Sequence, residues 1–405
     1  MKRRHFLILG LGGAVTLGWR YWPEDGFTNT CTTEGQSPQL LQHPLVREAM
    51  QGLDFSRVWD NHVHLIGAGN RKGHTWVNPE MQSLMHPLKL LQYQFYMNAS
   101  CVGEQKDVDQ GFVDRLYHLL AELPLGMKAM LLAFDYYHDA SGQIDKSRSA
   151  FYTSNEYAAS IATRYADRLE WVASIHPYRE DSIDQLEIAY QAGAKAVKWL
   201  PGAMGINPAD RRCKAFYDAM HRLNLPLLSH VGYEMAVATP EGELLGNPLL
   251  LRKPMEHGVR VIMAHAASLG ASPDLDKGGK GKDRDSFDLF VRMMNEPEYE
   301  KLLFADISAI LQLNRLDEPV KYLLLKEEWH DRLINGSDYP LPGILPLFPL
   351  KTLRRAGLIR EDQFEVLRQI RNYNPIWFDF VLKRMLRWQG KQFANTVFET
   401  RRHFI

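Results

Sequence analysis

Eight short runs rich in Val, Ile, Leu and Phe recur along the chain, separated by longer amphipathic stretches. This alternation limits the fold more than any other feature, because strands joined by helical crossovers build a parallel sheet. The runs are Val58–Leu65, Met127–Phe134, Leu169–His176, Ala194–Leu200, Pro226–Val231, Arg260–Ala266, Leu302–Ser308 and Leu333–Tyr339. Between them apolar residues fall at helical spacing, as in Ser182–Gln191 and Cys213–Leu223. No G-x-G-x-x-G pattern follows the first run, which argues against a dinucleotide-binding sheet. The predicted fold is α/β, a (β/α)8 TIM barrel with a long insertion after strand one and C-terminal helices.

A chain of 405 residues accommodates one such barrel with embellishments, the barrel and its insertions being assigned to residues 46–390 and a tail to 391–405. The connection from Ile66 to Gly126 is too long for a plain loop and must hold helices, with Met81–Met97 the best candidate. It leaves the active-site end of strand one, where a covering role is expected. The glycine-rich, polar stretch Gly270–Asp285 reads as a mobile loop. Further helices are expected from Leu353 to Gln389.

Residues 1–21 read as an address rather than as part of the fold. Lys2, Arg3 and Arg4 precede a short, glycine-containing apolar run, and Arg3-Arg4-His5-Phe6-Leu7 resembles the twin-arginine export signal. No clean A-x-A cleavage site precedes Trp19, so a retained membrane anchor stands beside the export reading. Residues 22–45 read as a linker. The expected location is periplasm or cell envelope. Lysine plus arginine and aspartate plus glutamate number 48 each, which leaves no net field to gather nucleic acid. Cys31, Cys101 and Cys213 form no CxxC pair and read as buried or free bystanders. A small-molecule substrate is the expected partner, with N-terminal membrane association and a homo-oligomer left open.

The histidines carry the chemistry. His62 and His64 lie two residues apart on the first strand, so an extended backbone turns both to one face. His230 closes the fifth run, His265 the sixth and Asp338 the eighth, and in a barrel these ends meet at one mouth. Imidazoles and a carboxylate gathered there suit a borderline divalent ion such as zinc, with one position kept open for catalysis. Asp60, on the same face as His62, is a candidate for fixing a ring tautomer.

With HVH at 62–64, VKWLPG at 197–202, LSHVG at 228–232, MAHA at 263–266 and NGSDYP at 335–340, the chain resembles the amidohydrolase superfamily in its amidohydrolase-related branch of hydrolases and carboxy-lyases. The resemblance spans about Val58 to Leu386. It implies metal ligation by His62, His64, His230 and Asp338, with His265 as a further ligand or catalytic residue. Lys198 matches the position of a carboxylated lysine bridging two metals in binuclear relatives, and is equally a candidate for a substrate contact or a structural ion pair, so one or two ions are expected. His176 and Tyr233 are candidate substrate contacts, and the aromatic residues Trp76, Tyr93, Phe95, Tyr96, Tyr136 and Tyr137 could line a pocket or pack the core.

The expected reaction is hydrolysis of an amide, lactone or ester of a small molecule, with Asp338 as general base and His265 as the second catalytic group. The alternative is non-oxidative decarboxylation of an aromatic or unsaturated acid. A non-catalytic metal-binding envelope protein is the third.

Overall fold

Each of the eight apolar runs forms a parallel strand in the computed structural model, which describes residues 26–32, 35–103, 105–234, 237, 242–278, 281–316 and 318–405. The strands are β1 Trp59–His64, β2 Lys128–Leu132, β3 Leu169–Val172, β4 Val197–Trp199, β5 Leu227–Ser229, β6 Val261–Met263, β7 Leu303–Asp306 and β8 Leu333–Ile334. Ladders join β1–β2–β3 in one sheet and β4–β5–β6–β7–β8 in another. Single parallel bridges span the two seams, Ala173 to Val197 and Val63 to Tyr339. Hydrogen bonds reinforce them: Lys198 N–H donates to Ala173 O at 2.7 Å, and Asp338 N–H to His62 O at 2.8 Å. The strand order is therefore that of a TIM barrel, with β8 returning to β1.

Inward side chains fill the cylinder. Trp59, Met130, Val172, Leu228 and Ile262 pack together there, and Phe404 joins them from the C-terminal segment. That segment, expected as a tail, lies across the N-terminal ends of the strands. Thr400 Oγ1 accepts from Trp59 N–H at 3.2 Å, and Arg260 donates to His403 O at 2.8 Å. Phe404 so closes the floor of the barrel and leaves the opposite rim for chemistry.

The outer helices follow from capping and spacing. In Ser286–Met294 the Asp285 carboxylate accepts from Phe287 N–H, satisfying one free donor of the first turn. Phe287, Phe290, Met293 and Met294 recur at helical spacing and form its buried face. The C-terminal helices are Leu350–Arg355, Glu361–Tyr373 and Pro375–Met385.

The insertion after β1 is helical, but its helices differ from the expectation. Instead of one helix over Met81–Met97, a 3-10 turn spans Pro79–Gln82 and an α-helix spans Pro87–Ala99. Pro87 disfavours helical backbone at His86 and suits the first helical turn, so the helix starts there. A second helix, Val108–Ala121, completes the insertion.

Two other expectations are corrected. Cys31 and Cys101 are not bystanders but a disulfide, with Cα atoms 5.3 Å apart. Their spacing along the chain hid this, because the fold lays Asn29 against Asn98, whose Oδ1 accepts from Asn29 N–H at 2.7 Å. Cys213 is free and buried. The stretch Gly270–Asp285 is not a plain loop: Ala271–Pro273 and Asp283–Asp285 pair as an antiparallel ribbon. Asp274, between them, pairs with Arg292 at 2.9 Å and Arg284 at 3.3 Å, which anchors polar sequence that lacks an apolar face.

Of the segment read as a linker, Pro38–Leu41 is helical, and a further helix spans Pro44–Met50. The address at 1–21 lies outside the described residues. Among the described residues no helix is long and apolar enough to cross a membrane.

Truncating the floor residue tests the closure. Phe404→Ala is expected to lower unfolding stability by about 3 kcal/mol through the cavity it leaves, read as a lower urea midpoint. An unchanged midpoint would show that the barrel holds without Phe404.

Candidate active site

The rim opposite Phe404 collects the side chains that follow the strand ends. His62, His64, Lys198, His230, His265 and Asp338 all line one cavity of about 690 Å³. Much of the remaining wall is apolar, including Leu65, Leu91, Phe95, Phe151 and Leu200.

Asp306, at the end of β7, organises these groups, and the sequence reading passed over it. Its Oδ2 lies 2.5 Å from His62 Nδ1, and its Oδ1 accepts from His265 N–H at 3.0 Å and Ser308 N–H at 2.8 Å. The Ser308 hydroxyl also donates to Oδ1. Burial opposes charge on this carboxyl, but His62, His265 and Lys198 outweigh it and hold the pKa below the usual range. Burial, with Lys198 beside it, lowers the pKa of His62, so the pair is a carboxylate accepting from a neutral imidazole. A carboxylate ending a barrel strand was the available signal for it.

Three imidazoles are held the same way. His62 gives Nδ1 to Asp306, His230 places Nδ1 3.2 Å from Glu234 Oε2, and His265 gives Nδ1 to Ser308 O at 3.0 Å. Because the Ser308 proton is directed at Asp306, Ser308 Oγ, 2.8 Å from His265 Nδ1, acts there as acceptor. Each ring therefore keeps Nε2 as a lone pair. His230 Nε2 is buried without any hydrogen-bond partner. A buried imidazole nitrogen with its lone pair unused fits a ligand for a divalent ion.

Asp338 meets these nitrogens. Its Oδ1 lies 3.1 Å from His64 Nε2 and 3.5 Å from His62 Nε2. Donor atoms of His62, His265 and Asp338 all fall within 4.8 Å of one another. His230 stands next to His265, with ring centroids 5.1 Å apart, and His64 stands equally near His62. The residues gathered by sequence are thus together, with His265 more central than His64.

Burial opposes charge on Asp338, and His265, His62 and His64 hold it ionised, with a pKa well below the usual carboxylate value. Lys198 Nζ lies 3.3 Å from His62 Nε2, and burial brings its pKa down to about 8.

The backbone here is shaped for the site. His265, Ala266, Ala267 and Asp338 adopt left-handed φ of 55°, 49°, 51° and 61°, conformations that cost about 1–3 kcal/mol each and gather at functional sites. Gly336 lets the β8 loop approach β1, since a Cβ there would meet Asn61 Oδ1 at 2.3 Å. From behind, Lys383 donates to Gly336 O at 2.6 Å and pairs with Asp379 at 2.5 Å. Asp60, the candidate for fixing a ring tautomer, does not do so; its carboxylate accepts from His62 N–H at 3.1 Å and Ser337 N–H at 2.8 Å, tying β1 to the β8 loop.

The cavity lining does not include His176 or Tyr233. His176 is buried, donates from Nε2 to Met204 O at 2.9 Å, accepts Tyr178 N–H on Nδ1 at 3.2 Å and packs against His138. Burial holds it neutral, its pKa pushed down to about 2. Tyr233 is held through its backbone by Leu269 O at 2.9 Å. Of the aromatic residues considered, Phe95 and Tyr96 reach the cavity. Arg315, absent from the sequence reading, also lines it and is buried.

A TIM barrel whose rim joins histidines, a lysine and carboxylates from six strand ends is the frame of a metal-dependent enzyme. The chain belongs to the amidohydrolase family, whose model matches residues 125–346. The family is enzymatic and metal-dependent, and the resemblance read from the motifs is borne out. The match includes Lys198, His230, His265, Asp306 and Asp338, whereas His62 and His64 precede it. No curated protein matches the chain.

Similar solved structures include an uncharacterized TIM-barrel protein from Bordetella bronchiseptica, 14% identical, with a TM-score of 0.47 over 76% of this chain and 94% of that one. A probable 2-pyrone-4,6-dicarboxylic acid hydrolase from Acinetobacter baumannii is 15% identical, with a TM-score of 0.44 over 79% and 99%. A 5-carboxyvanillate decarboxylase from Sphingomonas paucimobilis is 12% identical, with a TM-score of 0.44 over 79% and 99%.

Asp306→Asn is expected to weaken divalent-metal affinity about 10–100-fold, measured by competition with a chromogenic chelator. Unchanged affinity would mean that His62 is oriented by other groups.

Proposed function

We propose that the chain is a metal-dependent hydrolase that directs water at an amide, lactone or ester bond of a small molecule. The observation that carries this reading is the shared orientation of His62, His230 and His265, each tied outward through Nδ1, around an ionised Asp338. Imidazole nitrogens with one carboxylate suit zinc, or another borderline divalent ion. His62 and Asp338 are common to the motif-derived ligand set and to the group whose donors lie within 4.8 Å. His64 and His230 complete the first set, His265 the second. Such an ion supplies Lewis acidity, lowering the pKa of water and polarising the scissile group.

The chain's own residues then divide the work. Asp338, ionised and at the cavity wall, accepts the proton of the attacking water and returns it to the leaving group. His265, with Nδ1 donating to Ser308, offers a lone pair rather than a proton, which favours a ligand over an oxyanion donor. Lys198 presents Nζ to the same space and is the chain's donor to developing negative charge. The apolar wall holds the substrate body and limits access of further water.

Chelation is expected to abolish cleavage across a panel of amides, lactones and esters, and added zinc to restore it. Asp338→Asn, assayed at saturating metal, should lower kcat by about 10²–10⁴-fold. Metal-loaded protein that cleaves none of the panel would sink the hydrolytic reading. Metal analysis with and without Lys198→Ala decides its role: two equivalents falling to one identify a bridging lysine, and one equivalent in both identifies a donor.

A second reading, non-oxidative decarboxylation of an aromatic or unsaturated acid, draws on Arg315. This buried guanidinium lines the cavity, its Nε has no hydrogen-bond partner, and Nη1 donates to Ser268 Oγ over a long 3.4 Å. A substrate carboxylate would compensate its charge. Release of carbon dioxide without bond cleavage in the panel selects this reading.

The proposed location is the cell envelope, reached through the twin-arginine-like segment. The Cys31–Cys101 disulfide supports it, because such bonds persist in oxidising compartments. Replacing Arg3 and Arg4 by lysine is expected to retain the protein in the cytoplasmic fraction.

A further inference from the structure

The apolar wall of the cavity continues outward along the chain into exposed side chains that the chemistry above does not use. Leu84, Met85 and Leu88 are 86%, 84% and 74% exposed, an extreme for large apolar side chains that follow one another so closely in one segment. Single exposed leucines need no explanation, but a contiguous group does. Leu88, Leu91 and Phe95 recur at helical spacing on Pro87–Ala99 and line the cavity, so the exposed rim is continuous with the apolar wall inside. Phe27, 45% exposed, lines the same mouth from the N-terminal side.

The path of the chain indicates what covers this rim. Asn29 N–H donates to Asn98 Oδ1, and Cys31 is bonded to Cys101, so the segment that carries Phe27 is fastened along the Pro87–Ala99 helix. Upstream lies the apolar run Phe6–Trp19, preceded by Lys2, Arg3 and Arg4 and followed by no small-residue cleavage site. The eight residue-to-residue steps from Trp19 to Phe27 reach at most about 28 Å when fully extended. An apolar run retained in a bilayer therefore enters it within that distance of the rim. Burial of exposed leucine and methionine in the acyl boundary is favourable by the ordinary hydrophobic term.

We infer that Phe27, Leu84, Met85, Leu88 and Leu91 form a bilayer-docking rim, which seats the mouth of the cavity on the membrane that the N-terminal run enters. The rim exchanges water for lipid, and a substrate with an apolar body reaches the cavity along the surface of the lipid. This inference requires retention of residues 1–25 but not any particular reaction at the metal site.

The test uses the full chain with Met85→Cys carrying an environment-sensitive fluorophore. The other cysteines are bridged or buried, so the label has one exposed thiol. With vesicles of phosphatidylethanolamine and phosphatidylglycerol, the emission should shift to the blue and be quenched by brominated acyl chains. The same label at exposed Lys214→Cys should do neither. Leu84→Glu with Leu88→Glu should remove the quenching at position 85. Vesicle-bound protein whose position 85 stays unquenched would overturn the inference, as would protein that does not bind vesicles. A blue shift that needs no vesicles and grows with protein concentration would overturn it in favour of a second copy of the chain.

Discussion

The Asp306 carboxylate is the contact on which the rest of the site depends. Through Oδ2 it fixes the ring of His62, and through Oδ1 it holds the backbone of His265 and Ser308. Ser308 in turn holds the His265 ring. Strands β1, β6 and β7 are thus joined at their ends by one buried anion, and two inward-facing nitrogens acquire their direction from it. A buried charge of this kind is costly unless every lone pair is used, and here hydrogen bonds reach both oxygens. The left-handed backbone at His265 to Ala267 is stabilised by the same contacts.

The eight strands were legible because each is a short apolar run bounded by polar sequence, and in a parallel barrel both faces of a strand are buried. His62 and His64 were legible from their two-residue spacing on an extended run, and His230, His265, Lys198 and Asp338 because each closes or nearly closes one. Asp306 satisfies the same criterion but has no other ligand-type residue beside it, so no local pattern marks it. Arg315 and Glu234 lie in loops beyond the strands, where no periodicity assigns a direction to a side chain. His176 shows the converse error: it follows a strand end, yet Met204 O and Tyr178 N–H absorb its ring.

The insertions were the least legible part. Their lengths marked them, but helix limits depended on Pro87, and the Asp274–Arg292 anchor joins residues that no local pattern links. The Cys31–Cys101 bond is likewise a product of tertiary placement. These departures share a cause, since pairs distant in sequence and lacking a repeat leave no periodic trace.

The position of Phe404 has a consequence for the order of synthesis. All eight strands leave the ribosome before residues 391–405, so the interior layer that includes Trp59 stays open at one end until that later segment has been made. The parallel sheet gains its full interior only when that late segment swings beneath it. The interior of this barrel is consequently completed by the domain as a whole rather than by a unit-by-unit accretion along the nascent chain.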